Sequence, residues 1–523
     1  MLHCIALSAF CILAVSALAS SAPAPPSPAS FASYIDPVLS AAIANRAFPG
    51  ASWAIASRGG IVAQGAAGRF VYADSTPPPY NSGANPPVSA AATLFDLASL
   101  TKVVATTAAV AVLVDRGLLN LTEPIASPRL LGPAFAANGK GAVTLRHCLT
   151  HSAGFAPDPS PNYWEPAFGC ADPSPPTAPR ALTNDCRARI FASLLQQPLV
   201  RAPDTGYAYS DLSFLTLAFA VGKLAVDHAL IAPADLSAAC MAGVNATHAA
   251  GDDAGALLCH FEAFARTQVF APLGMRDTRF LPSGAAEFAQ CAPAEDASTG
   301  YQRTVIQGRV SDGNAFALGG IAGHAGLFGT APDVARLASA FLFPGESSAA
   351  GGGALLSRET AALFLREFNH SLSSRALGWN INDASVDDFG TFGACGNLSS
   401  LTGMHTGYTG TLVCADPVLD VVTVLLTNRV FPTDATGSAK IQAARRAFNN
   451  AVVAALKAGG PALPPAPAGS DGSGTIVAVA IVACAIAVAV GILYMRRRAA
   501  LLRQSGADAD ISYQLTSDLD TAH

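Results

Sequence analysis

A serine hydroxyl is a poor nucleophile until a neighbouring group takes its proton, and an amine three residues along one helix face can reach it. The segment Phe95-Asp-Leu-Ala-Ser99-Leu-Thr-Lys102 offers that pair in Ser99 and Lys102. Lysine is scarce, five in 523 residues, and no other Ser-x-x-Lys occurs. Burial disfavours a charged amine, so a desolvated lysine can act as a base. Taken alone, the motif reads equally well as a solvated helix pair. Further along, Tyr209-Ser210-Asp211 brings a phenol and a carboxylate, and His405-Thr406-Gly407-Tyr408-Thr409-Gly410 precedes an apolar run. Rival hydrolytic chemistries lack their groups: the chain has no Gly-x-Ser-x-Gly elbow and no His-Glu-x-x-His metal motif. The chemistry expected here uses no metal and no organic cofactor.

Those groups need a frame. Ala51 to Ser57 and Ile61 to Ala66, joined through Arg58-Gly59-Gly60, read as a β-hairpin with a glycine turn. Leu100 to Asp115, rich in alanine and valine, predicts a buried helix ended by Arg116-Gly117. Thr411 to Ala415 and Leu419 to Thr427 predict two strands joined at Asp416-Pro417, and Gly437 to Lys457 a closing helix. A sheet assembled from both chain ends follows, within one mixed α/β unit over residues 31–457. The Pro-rich stretch Ala156 to Arg180 reads as a surface loop.

With three motifs in this order, the chain resembles the serine β-lactamase and penicillin-binding-protein superfamily, marked by S-x-x-K, Y-x-N and K-T-G. The nearer likeness is to class C β-lactamases and their esterase and peptidase relatives. Thr150-His-Ser-Ala-Gly-Phe155, Leu273 to Phe280, Gly323-His-Ala-Gly-Leu-Phe-Gly-Thr330 and Leu377-Gly-Trp379 resemble the same family. The resemblance implies an α/β (α+β) fold, an antiparallel sheet flanked by helices plus an all-helical subdomain, with the site between them. It implies Ser99 as the nucleophile of an acyl-enzyme, with Lys102 and Tyr209 sharing the base and acid work. The oxyanion hole would be the N–H groups of Ser99 and Tyr408. His405 and Thr406 would line the cleft, and Gly407 would let substrate approach the strand.

Two positions depart from the pattern. Asp211 stands where asparagine is usual, and its charge favours a protonated Lys102, which shifts the base role toward Tyr209. His405 stands where lysine is usual, and histidine is mostly neutral near pH 7, so a permanent cation to bind a substrate carboxylate is missing. The expectation is a preference for esters or amides and poor turnover of penicillin-like acids. His151 and His324, in Gly/Ala-rich turns, read first as structural. Asp312 and Asn314 resemble a loop bordering the cleft, although turn chemistry accounts for them equally. Ser152 reads as a loop residue.

Composition sets the wider bounds. Hydrophobic residues make up 51% and charged ones 13%, which excludes disorder over most of the length. Lys plus Arg is 31 against 36 for Asp plus Glu, and without a basic run the chain makes a poor nucleic-acid binder. Residues 1–22 read as a cleaved signal and 23–30 as a spacer. After a Pro/Gly/Ser stalk (458–474), Thr475 to Met495 carries no charge and as a helix would span about 30 Å, with Arg496-Arg497-Arg498 as stop-transfer. The expected topology is single-pass type I, with a cytoplasmic tail over 496–523. Sequons at Asn120, Asn245, Asn369 and Asn397 all lie upstream of the span. Eight cysteines fall in the same region, and Cys170–Cys186 and Cys240–Cys259 are the nearest pairings. Expected partners are therefore a small-molecule or peptide substrate and one membrane. A rival reading, a catalytically silent ectodomain that binds a partner, has against it the intact Ser99, Lys102 and Tyr209 set.

Overall fold

Alternation along the first hairpin decides which side of the sheet each residue faces. In the computed structural model, strand β1 (Gly50–Ser57) sends Trp53 and Ile55 to one hydrophobic cluster and Ala54 and Ala56 to another. It pairs with β2 (Gly60–Gly68) through a turn whose Gly59 and Gly60 have φ of 88° and 120°, a region glycine enters at no steric cost. The other strands of the same sheet are β3 (Asn380–Ile381), β4 (Gly403–Thr406), β5 (Leu412–Asp416) and β6 (Val421–Thr427). The six form one antiparallel sheet in the order β2-β1-β6-β5-β4-β3, with Trp53 opposite Leu425 and Val413 opposite His405. The sheet therefore joins both chain ends, as the sequence predicts.

Both faces are covered, which is why every residue of β1, β5 and β6 is buried. On one face Phe31, Ile35 and Leu39 of helix Ala29–Ala44 meet Phe448 and Val452 of helix Ala439–Lys457 over Trp53, Ile55 and Leu425. On the other, helix Ala331–Leu342 packs against β1, β5 and β6. Beyond it lies a helical layer that includes Ala108–Asp115, Asp211–Asp227 and Ala254–Phe264. A Cβ on Gly222 would stand 2.0 Å from the Leu257 carbonyl oxygen, so glycine sets the spacing of two of these helices. Fully burying a Val, Leu or Phe side chain contributes roughly 1.5–3 kcal/mol, and dozens are buried here.

The structure describes residues 29–458 apart from 75–84, 173, 176–177, 179–184, 239, 242–253, 347–353, 384–392 and 435–436. The expected signal, the spacer up to residue 28, the stalk from 459, the span 475–495, the tail and Asn245 lie outside the described residues. Among the described residues no helix is long and apolar enough to cross a membrane.

Two expectations change in detail. The helix after Ser99 is not α-helical throughout: Lys102–Thr107 is wound as a π-helix before Ala108–Asp115. Such wide turns recur at functional sites. The Pro-rich segment is more than a surface loop, since Tyr163 is fully buried and Pro157, Asp158 and Trp164 border the central cleft. Both expected disulfides form, and a third joins Cys395 to Cys414. Cys148 and Cys291 remain buried thiols, and burial pushes that of Cys291 up to about 12.

Candidate active site

Ser99 lies in the turn before its helix, where the Lys102 N–H donates back to the Ser99 carbonyl at 3.0 Å. The preceding residue, Ala98, has φ of 46°, a conformation that L residues rarely hold without support. Asp96 gives that support. Its fully buried carboxylate accepts from Ala98 N (2.9 Å) and Ser311 N (2.7 Å), and Thr409 Oγ1 donates to its carbonyl (2.7 Å). Burial pushes the Asp96 carboxyl up to about 6 despite those two N–H donors. A Cβ on Gly407 would lie 2.7 Å from the Leu97 carbonyl oxygen and 3.3 Å from Ala98 Cβ. Glycine at 407 thus makes room for the nucleophile turn itself, rather than only for substrate.

Lys102 is fully buried, and its Nζ donates to Ser99 Oγ (2.9 Å) and to the His324 carbonyl (3.2 Å), with Asp211 Oδ1 at 2.7 Å. Burial alone would lower its proton affinity. The Asp211 carboxylate and the Tyr209 phenol outweigh it and hold the ammonium above its ordinary value. The charge on Asp211 therefore does what its sequence position implies. Asp211 opens helix Asp211–Asp227, anchored by its N–H on the Pro157 carbonyl (2.8 Å).

Tyr209 is placed by His151. The Ser210 N–H donates to His151 Nδ1 (3.0 Å), and the imidazole stacks on the Tyr209 ring with centroids 4.4 Å apart. Lys102 Nζ lies 4.8 Å from the same ring centroid. His151 is thus structural, but what it holds is the phenol beside Lys102. His405, on β4, donates from Nδ1 to the Thr406 carbonyl at 2.8 Å. Burial, then the charges of Arg375 and Lys102, push its imidazole well below the usual histidine range, so it is neutral. Tyr408 is half-exposed, its hydroxyl donating to Asp434 (2.9 Å). Neither the Ser99 nor the Tyr408 backbone N–H donates to a backbone carbonyl among the described residues.

Ser99, Tyr209, Asp211, His405, Thr406, Gly407 and Tyr408 line one cleft of about 780 Å3. Three arginines line it too: Arg375, Arg429 and Arg445. The expectation that the cleft lacks a permanent cation is corrected accordingly. It considered only position 405, and these arginines come from other segments folded against it. Arg375 is three residues before the Gly378-Trp379 pair already noted, but neither its burial nor its aim has a local sequence signal. Ser152 donates to Asp204 (2.6 Å) and is structural. Asn120, Asn369 and Asn397 are exposed, as glycan acceptors must be.

Asp211, Asp312 and His324 bring carboxylate and imidazole atoms within 4.8 Å of one another, close enough for a cation. Asp211 already faces Lys102, and His324 Nε2 lies 2.9 Å from Asp312 Oδ1, which also accepts from Ala315 N (2.8 Å). Burial opposes both charges of the histidine pair, yet their mutual attraction raises His324 and holds Asp312 down to about 2. The carboxylate's contribution to stability is present above its unfolded value of 3.8 and lost as pH falls through about 2. The imidazolium's is present below 6.5 and lost as pH rises through its raised folded value. Asp312→Asn keeps a capping oxygen and should cost about 2–3 kcal/mol at pH 6. The cost should be clearly smaller at pH 9. Urea unfolding of both proteins at the two pH values measures this, and equal losses would contradict the charged pair.

A family model described as Beta-lactamase matches residues 35–231 and 251–447, more than half of the chain. A protein of Escherichia coli O157:H7 named as a D-alanyl-D-alanine carboxypeptidase is 27% identical over 363 residues, 66% of this chain and 71% of that one. Among solved structures, a penicillin-binding-protein homologue from Caulobacter crescentus superposes with a TM-score of 0.54 at 20% identity, covering 83% of this chain and 99% of its own. EstCE1, described as a hydrolase with promiscuous acyltransferase activity, gives 0.52 at 20%, covering 80% and 99%. At such identities the two structures speak for the fold, the β-lactamase/transpeptidase fold.

Proposed function

The chain belongs to the beta-lactamase family, whose members are serine hydrolases, and from that premise we propose that it forms an acyl-enzyme on Ser99 with ester or amide substrates. The observation that carries the reading is the fully buried Lys102 ammonium 2.9 Å from the half-buried Ser99 hydroxyl, on the floor of an open cleft. The named relative is called a D-alanyl-D-alanine carboxypeptidase, which favours amides of D-amino acids within that class.

In this reading Ser99 Oγ attacks the acyl carbon while its proton passes to the Tyr209 oxygen and the phenol's own proton moves on to the departing alcohol or amine, so that the phenol is neutral before and after. The charged Lys102 orients Ser99 and offsets the negative charge that develops on Oγ as its proton leaves. The N–H groups of Ser99 and Tyr408 receive the carbonyl oxygen as it becomes an oxyanion. Water then attacks the ester formed on Ser99, loses its proton by the same route, and the proton returns to Oγ. Asp211 holds the ammonium charged, while His405 and Thr406 border the acyl group as neutral donors and acceptors.

A fluorophosphonate probe applied to the full chain should label Ser99, located by peptide mass spectrometry, and Ser99→Ala should abolish labelling. Tyr209→Phe should lower kcat on an activated ester about 10²–10⁴-fold. A folded protein that never labels would overturn the reading in favour of a silent binding domain.

The same proposal sets the hydrolase domain on the extracytoplasmic side, tethered through residues 475–495. Three disulfides and three exposed sequons support that side, because such bridges persist in oxidising compartments. Protein from its native membrane should lose mass on endoglycosidase treatment. An unchanged mass would count against this topology.

A further inference from the structure

Part of the cleft lining is aromatic. Trp164 and Tyr301 both line it and both are partly exposed, with ring centroids 4.9 Å apart. Tyr301 in turn meets the Phe316 ring edge-on at 6.1 Å. Two buried residues fix the indole in place. Tyr163, its chain neighbour, is sunk in the core and donates its N–H to Asn314 Oδ1 at 2.8 Å, while Asn314 Nδ2 donates to Asn162 Oδ1 at 3.1 Å. A Cβ on Gly313 would stand 2.3 Å from Trp164 Cδ1, so glycine there lets the indole lie against the backbone. A large aromatic surface braced in this way and left open to a cavity is suited to a ligand.

Carboxylates surround those rings. Burial, then the charges of Asp312, Glu295 and Asp96, raise the Tyr301 phenol above its ordinary value, and Asp158 lines the cleft from the same loop as Trp164. The cations nearby face other groups: Lys102 faces Asp211, His324 faces Asp312 and Arg429 faces Asp434. Arg375 lies over the rings of Tyr207 and Tyr209, and Arg309 lies over Phe316 and does not line the cleft. Asp158 and Glu295 make no ion pair among the described residues, and Glu295 accepts from Ser311 Oγ at 3.3 Å. Desolvation, with Asp211 and Asp312 beyond it, pushes the Asp158 carboxyl up to about 6, although that side chain is exposed to the cleft. Burial raises Glu295 as well. A bound cation would relieve both. Small hydrated metal ions seek a shell of oxygen ligands, which rings do not supply. An alkylated ammonium is attracted by ring faces and by carboxylates alike.

We infer that Trp164, Tyr301, Asp158 and Glu295 form a subsite for a quaternary or alkylated ammonium group on the substrate. The hydrolase then favours esters or amides that carry this group over neutral counterparts of the same shape. This deepens the acyl-transfer reading of the same cleft and rests on it. Trp164 and Asp158 determine specificity and take no part in the proton transfers.

The test compares acetylcholine with 3,3-dimethylbutyl acetate, in which carbon replaces the charged nitrogen, using the full chain and following acid release. Wild type should show about a 10-fold or greater kcat/KM advantage for the cation. Asp158→Asn and Trp164→Leu should each lower the cation's kcat/KM about 5-fold or more beyond the neutral ester's loss. Equal rates in wild type, or equal losses on the two esters in both variants, would overturn the inference. If a variant does not fold or neither ester is turned over, titration of the full-chain Ser99→Ala protein with choline decides. Of the three tryptophans Trp53 and Trp379 are buried, so a change in emission reports Trp164. Choline should bind about 10-fold more tightly than 3,3-dimethylbutanol, and equal affinity overturns the subsite. Choline-selective binding together with an unlabelled Ser99 in wild type would leave the subsite standing and remove the acyl-enzyme reading. Ser99-dependent turnover without cation preference would do the reverse.

Discussion

An ammonium group in the interior of a protein must be surrounded by acceptors, and the placement of much of the site follows from that demand on Lys102. Its acceptors arrive from three separate stretches: the Ser99 turn, the start of the helix at Asp211 and the His324 carbonyl. One carboxylate among them keeps the group charged at a depth where an isolated lysine would shed its proton. A charged lysine has no lone pair to accept the Ser99 proton. It can orient the hydroxyl and stabilise the charge that forms, and the accepting role falls to the phenol beside it.

The site is a seam between two bodies of the fold. The sheet contributes Thr406 at the end of β4 and the turn through Tyr408, while the helical layer contributes Tyr209 and Asp211. Asp96 ties the seam together, because one buried carboxylate holds the strained Ala98 turn and the Ser311 loop at once. Thr409 reaches the same residue's carbonyl from the sheet side. Positioning by His151 works similarly: its ring fixes Ser210 through one nitrogen and packs its face on Tyr209. Acidic and basic side chains meet in that seam, since Asp158, Asp211 and Asp312 line the same cleft as Arg375, Arg429 and Arg445.

Local patterns made part of this legible. The hairpin at Gly59-Gly60, the paired strands before and after Pro417 and the closing helix are short-range features, and the structure forms them where spacing predicts. Ser99 and Lys102 were visible for the same reason, being three residues apart. Tyr209 and the His405 segment needed the family's motif order, since no local rule joins Ser99 to residues about one hundred and three hundred positions away. Arg375 escaped because burial and the absence of an anionic partner are tertiary facts. Cys395–Cys414 has the same separation as Cys240–Cys259, so the distance that pointed to the one pointed equally to the other, and this pairing was legible but passed over. The π-winding at Lys102 has no composition signal either: valine, alanine and threonine suit an ordinary helix or strand as well.

The central claim is the charge on Lys102, and it can be observed directly. With five lysines in the chain, selective carbon-13 labelling at the lysine ε position gives a spectrum simple enough to assign by comparison with Lys102→Arg. Titration from pH 6 to pH 10 should leave the Lys102 resonance in its ammonium position throughout, since its folded value stands above the ordinary 10.5. A Lys102 signal that moves through a transition near neutral pH would show a free amine, and would make lysine rather than Tyr209 the base for Ser99.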